Sequence, residues 1–321
     1  MKQQAGVGIV LAIITAMCWG SLPIAMKQVL PVMEPLTVVF YRFSMASIGL
    51  GIILAFRKKL PPLRLFRKPR WLVMLAIATG GLLGNFLFFS TSLQYLSPTA
   101  SQVIGQLSPV GMMVASVVIL KERMRGTQVV GAIMLLCGLV MFFNNSLIEI
   151  FTRMTDYTLG VIFGVLAAMV WVSYGVAQKI LLRRLASQQI LLLLYILCAV
   201  ALLPIAKLDT LFLLNNWQLA CLFFCGLNTI VGYGALAEAM ARWQASQVSA
   251  LITLTPLFTL LFSDLLSQAW PDYFAMPQLN LLGYVGAFVV VTGAMYSAIG
   301  HRLWGRRPSA EVVTPGQRSD E

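Results

Sequence analysis

The sequence predicts an all-α polytopic membrane protein: ten transmembrane helices arranged as two five-helix inverted repeats, with both termini inside (N-in, C-in). Three observations lead there. Apolar runs long enough to cross a bilayer recur ten times along 321 residues. Lys and Arg collect in alternate connections between those runs. The stretch AMCWGSLPIAMK at 16–27 returns as AMVWVSYGVAQK at 168–179, with six of twelve positions identical. Residue frequencies alone give roughly one match in such a window.

Composition excludes the main alternatives. The chain is 59% hydrophobic and 11% charged, with a mean hydropathy of +0.84. Soluble domains carry about 25% charged residues, so a soluble fold of this size would lack polar groups to cover its surface. A net charge of +12 could speak for nucleic acid. The basic residues, however, cluster between apolar runs rather than along one exposed face, and no nucleic-acid partner is expected. All five Cys lie inside apolar runs, without disulfide or zinc spacing. Cys221 and Cys225 share a helix face and read as packing. The single histidine, His301, sits in a basic tail, which leaves metal, triad or phosphorelay chemistry almost nothing to work with. No catalytic residue, metal or cofactor is expected, and the chain does not read as an enzyme. The expected partners are a small solute and the lipid bilayer. The oligomeric state stays open, a monomer among the choices.

A membrane helix needs about 20 apolar residues. The runs fall at about 6–26, 36–56, 71–92, 98–120, 126–143, 158–178, 188–206, 217–239, 245–266 and 279–300. The first follows Lys2, but it exceeds the roughly 7–15 residues of a signal h-region and no small-x-small cleavage site follows. Its Trp19 and Ser21 lie just beyond the centre. Arg42 stands two turns into the second run and reads as snorkelling outward towards Glu34. The third contains GGLLGNFLFFS (80–90), where Gly80, Gly81 and Gly84 allow close helix approach and Asn85 sits at mid-depth. The fourth carries Gln102 and Gln106 on one face, then Ser108-Pro109. The sixth carries Trp171, Ser173 and Tyr174. In the eighth, Asn228 is central, Tyr233 follows, and Glu238 lies four residues before Arg242, a spacing that suits an ion pair. The ninth has Gln247, Thr253 and Thr255-Pro256, with Asp264 in its last turn. Each proline removes an i→i−4 hydrogen bond, freeing the carbonyls of Gly105 and Ile252 near the midplane.

Orientation follows from the basic residues. With the N-terminus inside, the cytoplasmic segments hold 19 of the 23 Lys and Arg residues and the outer segments three: Lys27, Arg153 and Lys207. The polar tail at 301–321 is expected to be cytoplasmic and disordered. Lys27 and Lys179, which close the repeated stretch on opposite sides, read as helix-end anchors.

The repeat continues beyond its opening match. ASQV occurs at 100–103 and 245–248, GAIMLLCG at 131–138 resembles GAFVVVTG at 286–293, and Trp71/Gly80 recurs as Trp217/Gly226. The order is kept while the offset drifts between 145 and 155, as loop insertions produce. Two units result, 6–143 and 158–300. Each holds five spans, an odd number, so the second enters the membrane from the opposite side. Inverted repeats of this kind are the architecture of many secondary transporters, whose sites lie at mid-membrane between the halves and are marked by broken helices.

The layout resembles the drug/metabolite transporter superfamily, in particular the ten-span family with two EamA domains. The resemblance rests on AMCWGS and its repeat, on LSPTASQVIGQLSPV at 96–110, and on LKERMRGTQVVGAIMLLCGLV at 120–140, where Glu122, Gln128, Gly131 and Gly138 have the spacing that ends an EamA repeat. The second repeat departs, reading SQAWPDYF at 267–274 where a Glu belongs. Glu122, flanked by Lys121 and Arg123, reads as a cytoplasmic cap or ion pair. The resemblance implies a bacterial inner (plasma) membrane, a cavity lined by the first, third, fourth, sixth, eighth and ninth spans, and export of amino acids or related metabolites.

The candidate cavity residues are Trp19, Ser21, Asn85, Gln102, Gln106, Pro109, Trp171, Tyr174, Asn228, Tyr233, Thr255 and Pro256. Polar groups at mid-membrane need a partner, whether helix, water or ligand. Glu238 and Arg42 are the charged candidates for ion coupling or ion pairing. No acid sits at the centre of the bundle, so the sequence makes no strong case for proton coupling. Amides, hydroxyls and rings suit a zwitterion or small aromatic solute better than a multiply charged ion. The expectation is a secondary transporter exporting a small amphipathic metabolite by alternating access; the alternative is a channel or scramblase-like passive pathway.

Overall fold

A computed structural model gives the architecture of residues 5–62, 69–118, 126–243, 245–276 and 279–304. Among these residues all regular structure is helical. The first half contains α1 (Ala5–Val29), α2 (Pro35–Phe56), α3 (Pro69–Tyr95), α4 (Pro98–Gly105), α5 (Leu107–Val118) and α6 (Gly126–Phe142). A short α7 (Leu147–Thr152) lies in the linker. The second half contains α8 (Asp156–Leu181), α9 (Ser187–Leu202), α10 (Asn216–Arg242), α11 (Ala245–Ile252), α12 (Thr255–Ala269) and α13 (Leu281–Trp304). Glu122 lies outside the described residues, as does the tail from 305. Within the expected tail, α13 continues to Trp304.

Lipid offers no hydrogen-bond partner for the backbone, so apolar runs become helices and the chain saves its turns for polar edges. Pro35 and Pro98 open α2 and α4, where a missing N–H does no harm. Ser97 accepts from the Ala100 amide at 3.2 Å, and Asn215 caps α10 reciprocally with Gln218. Among the described residues, seven helical segments, one of them Gln247–Ala269 across α11 and α12, are long and apolar enough to cross a membrane, by length and composition. Gly126–Phe142 and Ser187–Leu202 are shorter apolar helices, about 26 and 24 Å long at 1.5 Å per residue.

The fourth and ninth apolar runs are each broken in two. The first break falls at Gln106, three residues before Pro109; the second falls at Thr253 and Leu254, just before Pro256. The carbonyl of Ile252, which loses its helical partner to Pro256, instead accepts from the hydroxyl of Thr255 at 2.6 Å.

The halves pack by exchange. α1 lies along α10 and α3 along α8, α2 meets α9, and α6 meets α13. α4 and α5 rest on α8 as α11 and α12 rest on α1. Swapping the halves exchanges α1–α10 with α3–α8 and the α4, α5 contacts on α8 with the α11, α12 contacts on α1, and it maps α2–α9 and α6–α13 onto themselves. The α6–α13 seam explains why GAIMLLCG and GAFVVVTG share their glycines. A Cβ on Gly138 would stand 2.6 Å from the Val290 nitrogen, and one on Gly293 2.6 Å from the Leu135 nitrogen. Four glycines, 131 and 138 facing 286 and 293, thus let two backbones touch. In α3, Gly81 and Gly84 abut α8, whereas Gly80 faces open space.

Lys27 closes the α1–α3 contact. Its Nζ donates to the carbonyls of Leu93 (2.5 Å), Leu96 (2.9 Å) and Gln94 (3.2 Å), placing a cation where the α3 C-terminus is negative. In the loops, Lys207 Nζ donates to Glu34 Oε1 at 2.6 Å. That hydrogen bond, with the Glu34 charge, holds the Lys207 ammonium above its usual pKa. Glu34 is therefore engaged away from Arg42.

Candidate functional site

A cavity of about 610 Å³ lies between the halves. α1 with α10 and α3 with α8 are closely packed pairs, and all four helices contribute to the cavity wall. α1 contributes Trp19 and Leu22; α3 contributes Asn85, Phe86 and Phe89. The first broken helix supplies Gln102, Gln106 and Pro109, and α8 supplies Trp171. α10 adds Asn228, Thr229 and Tyr233, and the second broken helix adds Ile252, Thr253 and Thr255. The spans expected from the resemblance are all present. Three more join them: α2 through Arg42, α6 through Gln128, and α13 through Ala294, Ser297 and Ala298.

Nine of the twelve candidates line this cavity: Trp19, Asn85, Gln102, Gln106, Pro109, Trp171, Asn228, Tyr233 and Thr255. The other three lie elsewhere. Ser21 donates to the Cys18 carbonyl of its own helix at 3.0 Å. Tyr174 is buried in the core with Phe43, Phe86 and Tyr195, its ring edge-on to Trp171 at 6.0 Å. Pro256 is buried in α12 and is not among the lining residues. Thr229, Met112, Ser249 and Ser297 line the cavity without having been singled out. Of these, only Thr229 had a signal, as the neighbour of Asn228.

The amides play two parts. Asn228 Nδ2 donates to Cys18 O at 2.6 Å and Asn85 Nδ2 to Ala167 O at 3.0 Å. Gln102 Nε2 donates to Trp19 O at 2.7 Å. Each nitrogen thus joins a helix of one half to a helix of the other or of its own, and the Asn228 oxygen is left over. Asn228 Oδ1 is buried and without a hydrogen-bond partner, an arrangement that is costly unless something arrives to donate to it. Trp19 and Tyr233 meet at 5.1 Å between ring centroids and form an aromatic wall beside it.

Charge is sparse and of one sign. Among the described residues, no Asp, Glu or His lines the cavity. Glu238 pairs with Arg242 one turn along α10, half-buried. Arg42 differs from the expectation. It does not snorkel outward but is 3% exposed and lines the cavity. Its Nε and Nη2 donate to Thr229 Oγ1 at 3.3 and 3.2 Å, Nη1 lies 3.2 Å from Met26 Sδ, and the guanidinium sits 4.5 Å above the Phe86 ring. All five cysteines are free, and the described residues contain no His, Cys, Asp and Glu cluster able to hold a metal.

Known proteins carry the same pattern. The profile of the EamA-like transporter family matches residues 6–144 and 158–292. The chain is 76% identical, over 321 residues and the whole of both chains, to the "Uncharacterized inner membrane transporter YhbE" of Escherichia coli (strain K12). It is 48% identical over 303 residues, 94% of this chain and 98% of the other, to an "Uncharacterized transporter" of Haemophilus influenzae. A solved crystal structure at 20% identity superposes with a TM-score of 0.64, covering 93% of this chain and 98% of its own, a likeness of fold. Two family matches in tandem, relatives of equal length and a solute-sized cavity between the halves agree: the chain is a multi-pass inner-membrane transporter and belongs to the EamA-like transporter family.

Proposed function

We propose that the protein is a secondary transporter that exports a small amphipathic metabolite, an amino acid or related compound, by alternating access through the cavity. One observation carries this reading. Two helices, one in each half and at corresponding positions, break at the cavity wall, and their breaks bear Gln106 and Thr253. Broken helices at matching places are the physical means by which two related halves share a mid-membrane site.

The ten-span arrangement belongs to the same reading. Seven long helical segments, two shorter apolar helices and the broken α4–α5 segment make five crossings per half. An odd count inverts the second half, and the basic residues put both termini inside. The exchange-related contacts α1–α10 and α3–α8 support it. One packing used twice gives two arrangements of similar energy, one open to each side. The chain acts on its solute by moving it rather than by changing it.

A panel of metabolites in cells overproducing the protein tests the proposal. Efflux of at least one solute should accelerate. Trp19→Ala, Trp171→Ala and Asn228→Ala should each abolish that efflux while the protein stays in the membrane. Normal efflux by these variants would show that the site is misplaced, and a broad panel with no mobile solute would remove the transporter reading.

A further inference from the structure

Arg42 is a cation in the wrong place for a purely structural residue. It is buried at 3% exposure inside a membrane bundle, where an ionised side chain is expensive and is normally paired. Among the described residues, the ion pairs are Lys207 with Glu34 and Arg242 with Glu238. Neither involves Arg42. The titratable groups that face it are Cys225, Tyr195 and Tyr233, and none of these is a carboxylate.

What holds Arg42 is weak. The Thr229 hydroxyl donates its own proton to Cys225 O at 2.9 Å, so its oxygen is turned to accept from the guanidinium, and both of those contacts exceed 3.1 Å. The Met26 sulfur is a poor acceptor. The Phe86 face attracts the charge without neutralising it. A guanidinium has five N–H donors. Those contacts engage three, leaving by count one N–H on each terminal nitrogen. N–H groups on the two terminal nitrogens can be taken up together by both oxygens of one carboxylate.

The charge is also one-sided. α9, which packs against α2 as its counterpart, carries no charged residue along Ser187–Leu202. Among the described residues, no acid lines the cavity. The site therefore holds, among the described residues, one uncompensated positive charge next to aromatic walls, among them Trp19, Phe86 and Tyr233.

We propose that Arg42 is the anion subsite of the cavity and receives a single carboxylate of the solute. The proposal rests on the reading that this cavity is the solute's path. It narrows the substrate class to compounds with one carboxylate beside an apolar or aromatic body. A dianion such as phosphate would find only half of its charge met.

The test uses the purified full-length protein in non-ionic detergent at neutral pH, read by quenching of tryptophan fluorescence, since Trp19 and Trp171 line the cavity. The probes are 3-phenylpropanoate, its uncharged counterpart 3-phenylpropanamide, and inorganic phosphate. A charge-assisted bond predicts that the carboxylate binds at least about tenfold more tightly than the amide, and phosphate more weakly than the carboxylate. In Arg42→Met the ratio should fall to about one through loss of carboxylate binding alone, with amide affinity unchanged. Arg42→Lys, which keeps the charge but loses the fork, should give an intermediate ratio. It serves as the second variant where Arg42→Met does not yield folded protein. A wild-type ratio near one, a ratio unmoved by Arg42→Met, no binding of either organic probe, or a preference for phosphate would each overturn the proposal. The two levels separate cleanly. Solute efflux with an indifferent ratio would sink the anion subsite alone; a tenfold ratio without flux of any solute would sink the transport reading alone.

Discussion

Gly138→Ala is the sharpest test of the packing that joins the halves. The new Cβ would lie 2.6 Å from the Val290 nitrogen and 2.9 Å from the Gly286 carbonyl oxygen, against an ordinary contact of 3.4–4 Å. Both obstacles are backbone, so no side chain can swing aside. α6 and α13 must separate by about 0.8 Å to restore contact, and a gap of that size forfeits roughly a quarter to a half of each dispersion well along the seam. Overpacking of this kind costs about 1–3 kcal/mol. At about 2–4 °C per kcal/mol for a large domain, the apparent Tm should fall by about 2–12 °C. The assay is thermal unfolding of the detergent-purified protein, followed by the loss of its monodisperse elution peak. Gly80→Ala is the control, because nothing lies within 4 Å of its added Cβ and alanine is the better helix former by up to about 1 kcal/mol. A Gly138→Ala protein as stable as wild type, or a Gly80→Ala protein equally damaged, would refute the seam.

Three further outcomes follow from individual contacts. Asn228→Leu removes the 2.6 Å bond to the Cys18 carbonyl; interhelical bonds in membranes are worth about 0.6–2 kcal/mol, so a modest drop in Tm should accompany complete loss of efflux. Lys27→Met strips the cation from the C-terminus of α3 and should destabilise by about 0.3–2 kcal/mol, with partial rescue by Lys27→Arg, both read by thermal unfolding. The Lys207–Glu34 pair has 59% and 57% exposed side chains and is screened by solvent, so Lys207→Met should leave the Tm at pH 7 almost unchanged. Because the folded-state pKa of Lys207 is raised, whatever the pair contributes is present below the ordinary lysine value near 10.5 and is lost as pH rises through the folded value. Any Tm difference between the two proteins should therefore vanish above that point, and one that grows there would contradict the pairing.

The sequence discloses the helices because lipid leaves an apolar run no other way to satisfy its backbone. It discloses the two breaks because Pro109 and Pro256 each delete a hydrogen bond. What it hides is azimuth. A soluble helix announces its buried face by placing polar residues opposite, whereas a membrane helix is apolar towards both lipid and protein. Ser21 stands two residues after Trp19, about 200° around the helix at 3.6 residues per turn, and so turns from the cavity to its own backbone. Tyr174, three residues after Trp171, falls about 60° short of a full turn and enters the core. Arg42 is the largest change of meaning. Its depth along α2 suited either a snorkelling or an inward side chain, and only the packing of Met26, Phe86 and Thr229 around it fixes the inward choice. The shared glycines of GAIMLLCG and GAFVVVTG were visible as a repeat, but that the two copies face each other is a tertiary fact.

Counterflow in proteoliposomes tests the central claim most directly. Vesicles containing the purified protein are preloaded with a solute that the efflux panel identifies, then diluted into a trace of the same solute carrying a radiolabel. Alternating access predicts saturable uptake with a transient accumulation of label above its equilibrium level, driven by the outward run of unlabelled solute and lost in Asn228→Ala. Uptake that rises linearly with concentration, with no overshoot, would mean a continuous passive pathway and would contradict the account.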